Sequence, residues 1–187
     1  MKRYKVPDIE TDRLKLRRWR RKDAADLFEY GKSPNVGPSA GWKPYASISE
    51  SRFVIANSFI NSMTWALEYK ETGKVIGSIA LSEDKFRPDV NSMELGYSLS
   101  ESYWGRGLMP EAAEALIEYA FDVLKLDVLM IKTGLDNTRS QRVIEKCGFT
   151  YEGTLRKIYR MYDGTVKEVR CYSILREEYE KIRIKKS

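Results

Sequence analysis

The chain has 187 residues, 42% of them hydrophobic, which is the size of one ordinary domain with a single core. Its first residues are too polar for a secretory leader and no apolar run approaches the roughly 20 residues that span a bilayer, so a cytoplasmic protein with no membrane partner is expected. The net charge of +6 is scattered among 27 acidic residues, which predicts a solvated mixed-charge surface, and the absence of histidine excludes the usual general base, zinc ligand and Ser-His or Cys-His pair together.

In chain order, Arg13 to Trp19 alternates apolar and charged residues with period two, the pattern of a half-buried strand. A helix follows and ends at Gly31, read as its C-cap. Pro34, Gly37, Pro38, Gly41 and Pro44 break the next stretch into a loop carrying Trp42 and Tyr45. Helical spacing returns from Ser47 to Ser62, with Ser49 as N-cap. The runs TWALEY and KVIGSIAL predict two strands joined by a tight turn at Glu71 to Lys74, and Ser92 to Ser100 predicts a third. Ala113, Leu116, Ile117, Ala120, Phe121 and Leu124 share one face of a helix of about four turns. VLMIKTGL reads as a buried strand, NTRSQRVIEKCGF as a short helix closed by Gly148, and a long hairpin turns at Asp163-Gly164. No repeat or linker interrupts this order, so one mixed α/β domain is expected. Cys147 and Cys171 are too few and too far apart for a disulfide framework or a metal site, and read as buried, inert thiols.

The stretch SYWGRGLMPEA, Ser102 to Ala112, carries the most chemistry. Glycines at 105 and 107 permit a sharp turn with bare amides, and those amides point the way the following helix's N-terminus does, a geometry that binds phosphate. A plain strand-to-helix turn would show the same spacing. The stretch lacks the Gly-Lys-Ser/Thr ending of a nucleotide-triphosphate loop and the third glycine of a dinucleotide fingerprint.

Three segments in register, Glu10 to Phe28, Met93 to Ala112 and Asn137 to Arg156, resemble GNAT-type acyltransferases, and within them the ribosomal-protein N-terminal acetyltransferases of the RimJ/RimL kind. The resemblance runs from about Thr11 to Tyr179. It implies a GNAT fold, a mixed and mostly antiparallel central sheet flanked by helices, in a single domain over residues 1–187 with its core at about 11–179. It implies acetyl-CoA as co-substrate, no metal, and an amine acceptor, most of all a protein N-terminus; a homodimer is left open and no nucleic-acid partner is expected. In it the amides of Gly105, Arg106, Gly107, Leu108 and Met109 cradle the pyrophosphate, the Tyr97, Ser98 and Leu99 backbone pairs with the pantetheine arm, and Asn137 contacts that arm. Trp104 and Met109 depart from the common superfamily loop, and Ile144 stands where many members carry an acid tyrosine.

The chemistry requires that an amine lose a proton, attack the thioester and leave a thiolate to be protonated. The resemblance places Glu94 beside the acceptor amine as a base, acting through water. Ser140, one turn before Ile144, is the remaining hydroxyl for the thiolate. The resemblance also puts the loop that carries Trp42 and Tyr45 at the border of the acceptor cleft. Each residue also has a plainer role: Glu94 paired with a lysine, Ser140 satisfying backbone, Asn137 capping its helix, Trp42 and Tyr45 packing their own loop. The competing functions are acetylation of a small-molecule amine, CoA binding without turnover, and RNA or ribosome binding, for which the aromatic-basic strand signature is absent.

Overall fold

The computed structural model describes residues 6–186; residues 1–5 and 187, which the single-domain expectation includes, lie outside the described residues. Eight strands hydrogen-bond in the order β1-β2-β3-β4-β5-β6-β8-β7. They are β1 (Ile9–Glu10), β2 (Leu14–Arg18), β3 (Met63–Tyr69), β4 (Val75–Glu83), β5 (Ser92–Leu99), β6 (Val128–Gly134), β7 (Thr150–Arg160) and β8 (Val166–Leu175). The helices are α1 (Ala24–Gly31), α2 (Ile48–Asn57), α3 (Leu108–Glu118), α4 (Thr138–Lys146) and α5 (Arg176–Lys186). Strands β5 and β6 run parallel, while β1–β2, β2–β3, β3–β4, β6–β8 and β7–β8 are antiparallel, so the sheet is mixed as expected.

The chain forms two compact units, one running to Leu81 and resuming over Tyr97–Ala112, the other taking Ser82–Gly96 and everything from Ala113. In the first, β2 alternates as far as Leu16 while β3 is buried on both faces from Met63 to Leu67, and together they bury Leu14, Leu16, Trp65 and Leu67. Beneath α1 and α2, Trp19, Leu27, Tyr30 and Ile55 form a core with Val36 and Val75. A charged group sits inside this unit: Arg17 bonds Asp23 through Nη1 at 2.8 Å and Nη2 at 3.0 Å, and Glu68 through Nε at 2.5 Å. Burial opposes the Arg17 charge, but these two carboxylates outweigh it and raise its pKa above the usual arginine value. Gly77 is required where β4 meets β5, because a Cβ there would lie 2.4 Å from the Ser98 carbonyl oxygen.

In the second unit α3 continues into a π-turn over Tyr119–Val123, and Leu116, Ala120 and Phe121 are buried on the predicted face. Phe121 stacks on Tyr179 of α5 at 4.7 Å. Strand β6 is fully apolar from Val128 to Ile131 and pairs with β8 along its length. Cys147 and Cys171 are buried and form no disulfide, and burial pushes the Cys171 thiol up.

Two expected caps differ. Ser47, not Ser49, caps α2: its Oγ accepts the Glu50 N–H at 3.1 Å, while the Glu50 carboxylate accepts from the Ala46 N–H at 2.6 Å. Gly31 lies inside α1 and Lys32 is the C-cap. The glycine is there for room, since a Cβ would stand 2.5 Å from the Tyr45 ring. Strand β1 and helix α5 go beyond the predicted elements.

Candidate active site

After β5 a short turn over Glu101–Tyr103 leads to Trp104, and the chain then passes through Gly105 at φ 75° and Gly107 at φ 74° into α3. Both angles lie in the left-handed region where glycine is at ease. A Cβ at Gly105 would meet nothing within 4 Å, and one at Gly107 only the Arg13 guanidinium at 3.6 Å. Leu108 and Met109, by contrast, bury their side chains. The loop is thus anchored by apolar side chains while its glycine surface stays open, and the first amides of α3 have no intrahelical partner. Such a cradle has the geometry to hold an anion.

The cradle is braced from the residues just before β2. Arg13 Nε donates to Glu111 Oε2 at 2.7 Å and Nη2 lies 2.6 Å from the same oxygen, while Nη1 donates to the Arg106 carbonyl at 2.9 Å. Glu111 Oε1 also accepts from the Arg13 N–H at 2.8 Å and the Thr11 hydroxyl at 2.6 Å. Burial pushes the Glu111 carboxyl up, but the Thr11 and Arg13 bonds outweigh it and hold its pKa below the usual glutamate value. Arg106 itself lies over the Tyr103 ring at 5.0 Å. The Trp104 indole N–H donates to the Leu99 carbonyl at 2.8 Å, and the Ser98 hydroxyl bonds that of Ser78 at 3.0 Å. In the Tyr97–Leu99 stretch the Leu99 carbonyl therefore already has a donor.

The other expected residues belong to the second unit. Glu94 lies at the last register pair of β5 with β6, opposite Met130. Both its carboxylate oxygens accept from Lys132 Nζ at 2.6 Å. Asn137 caps α4, its Oδ1 accepting the Ser140 N–H at 3.1 Å, and Ser140 is half-buried in that first turn. Among the described residues no group of three or more His, Cys, Asp or Glu is placed to hold a metal ion, and no helix is long and apolar enough to cross a membrane.

Trp42 and Tyr45 stack on each other at 4.7 Å and 14°, and both pack against the core beneath α1. Burial first, and then the charge of Glu50, pushes the Tyr45 phenol up to about 12. Their packing on Gly31 and Gly37 accounts for their placement. Three residues join the expected ones only in three dimensions: Arg13 and Glu111 beside the loop in the first unit, and Lys132 beside Glu94 in the second. Arg13 and Glu111 lie inside the segments that carry the family pattern, the one signal that could have marked them.

The model of the acetyltransferase (GNAT) domain matches residues 13–150. The uncharacterized N-acetyltransferase p20 of Bacillus licheniformis is 31% identical over 178 residues, covering 91% of this chain and 97% of that protein. The ribosomal-protein-serine acetyltransferase of Escherichia coli K12 is 29% identical over 131 residues, 67% of this chain and 72% of that one. In fold, the crystal structure of a GNAT-family acetyltransferase from Bacillus anthracis matches with a TM-score of 0.82 at 24% identity, covering 92% of this chain and all of that one. A family model spanning most of the chain, a relative matched along nearly its whole length and a sheet of the same architecture agree: the chain belongs to the GNAT family and is an N-acetyltransferase that uses acetyl-CoA.

Proposed function

We propose that the protein moves the acetyl group of acetyl-CoA to the α-amine of a protein or peptide N-terminus, a reading supported by its resemblance to a ribosomal-protein-serine acetyltransferase, and that its two units act as one catalytic domain in the cytoplasm. The observation that carries the CoA half is the open left-handed turn at Gly105 and Gly107, braced by Arg13 and opening α3. In this reading the Gly105 to Met109 amides hold the pyrophosphate, and Tyr97, Ser98 and Asn137 hold the pantetheine arm. The Leu99 carbonyl instead keeps its bond to Trp104 and fixes the entry of the loop.

The reaction forms an N–C bond and breaks the thioester C–S bond. The acceptor's ammonium proton goes to Glu94, directly or through a water; the departing thiolate takes a proton from the Ser140 hydroxyl, and the second proton, shed by the acceptor nitrogen as the amide forms, passes to solvent, which restores Ser140. Trp42 and Tyr45 flank the acceptor as a rigid aromatic wall. Thiol release measured over Ser- and Ala-initiated peptides, polyamines and aminoglycosides tests the assignment. Peptides should turn over best, and Gly107→Val should weaken acetyl-CoA binding by calorimetry in a variant that keeps its fold by circular dichroism. Turnover confined to the small amines would replace the N-terminal reading, and unchanged affinity in Gly107→Val would remove the loop from the CoA site.

A further inference from the structure

The second unit holds a feature that the reaction as described leaves unexplained. The carboxylate that should receive an acceptor's ammonium already holds one, because Lys132 Nζ reaches both Glu94 oxygens at 2.6 Å. The pair is not sealed, with Glu94 19% and Lys132 26% exposed. Around it stand the Phe86 ring, 5.7 Å from Nζ, Cys171 opposite Lys132 in the β6–β8 register, and Tyr159 of β7. The other charged groups on this side are Arg87, bonded to Glu152 at 2.6 Å and to Asp84 at 3.2 Å, and Lys167, bonded to Asp136 at 3.3 Å. Room lies along the strand: Gly96 falls on the same face of β5 as Glu94, is exposed, and a Cβ there would meet nothing within 4 Å.

An incoming ammonium that takes Glu94 leaves Lys132 part-buried with no anion. That exchange is unfavourable for an acceptor whose only charge is its amine, because desolvated charge must be paired. An acceptor carrying its own anion beside the amine offers Lys132 a new partner as it takes the old one. Tyr159 and Cys171 are neutral near pH 7, and the carboxylates of Glu152 and Asp84 are held by Arg87 and that of Asp136 by Lys167, so no other group near the pair supplies that anion. We infer that Lys132 is a specificity-determining residue that selects acceptors bearing an acidic group close to the amine, such as an N-terminus followed by Asp or Glu. The inference rests on the assignment of Glu94 to the acceptor's ammonium.

Matched acceptors test it: Ser-Asp against Ser-Asn peptides, and taurine against ethanolamine as small amines that differ by an anion. The wild-type enzyme should favour the anionic member of each acetylated pair by about tenfold in kcat/KM, the scale of one modest charge pair, and chiefly through KM. Lys132→Met should bring the ratio to near one and lower KM for the neutral member, while Lys132→Arg should restore most of the preference. A merely structural lysine would lower both members alike and leave the ratio untouched; that result, or no preference in the wild type, overturns the inference. Peptides left unacetylated while the small amines react would instead discard the N-terminal reading and still report the ratio, and no acetylation of any acceptor would overturn both.

Discussion

Arg13 and Glu111 stand 98 residues apart in the chain and meet at the start of α3. Glu111 gains its bonds only in the folded state, which holds its pKa below the ordinary value of 4.5. The stabilisation is therefore complete above that value and lost as pH falls through the lower folded pKa. Glu111→Gln should cost about 1–2 kcal/mol at neutral pH, the scale of hydrogen bonds to a charged group. Thermal unfolding should show the variant several degrees below wild type at pH 7, with the gap narrowing as pH falls from 4.5 towards 3; a gap independent of pH would mean the carboxylate's charge is not what braces the loop. The glycines at 105 and 107 were legible because few residues other than glycine take φ near 75° at a turn. Lys132 was not, since its meeting with Glu94, 38 residues away, depends on the register of two parallel strands that no local pattern encodes.

At the scale of elements, β2, β3 and the turn that opens α1 are tied by Arg17, Asp23 and Glu68. Arg17 and Asp23 are only 3% and 4% exposed, so removing one partner strands a buried charge. Asp23→Ala should destabilise by about 3–5 kcal/mol, and adding Arg17→Met should recover part of that loss instead of adding to it. Denaturant midpoints of the single and double variants measure this, and additive costs would refute the coupling. Period-two alternation announced β2, yet it marked Arg17 as a solvent-side residue, because a buried arginine looks like an exposed one until its carboxylates arrive from elsewhere. Gly31 was misread for a related reason: its purpose is the Tyr45 ring, contributed by a loop fourteen positions later. Helix α5 escaped notice because its eleven residues are mostly charged, with Tyr179 the one buried apolar side chain.

For the molecule as a whole, the lack of histidine has a measurable outcome. Between pH 5.5 and about 7.5 no side chain with an ordinary pKa changes charge appreciably, so folding stability should be nearly flat there, apart from the small contribution of the α-amine. Chemical denaturation at pH 5.5, 6.5 and 7.5 should give midpoints that coincide; a steep slope would reveal a carboxyl or thiol titrating far from its usual range. A net charge of +6 in that window adds long-range repulsion between copies.

The two outermost strands add a safeguard against fibril growth that this repulsion alone would not provide. Strand β1 has two residues, too few to template a partner, and β7 breaks its register twice, between Tyr151 and Gly153 and between Leu155 and Tyr159, with Lys157 in the left-handed region at φ 54°. Arg156, Lys157 and Arg160 add like charges along the same strand. A second molecule laid against β7 would find a kinked, cationic ladder in place of a flat one, which disfavours edge-to-edge pairing.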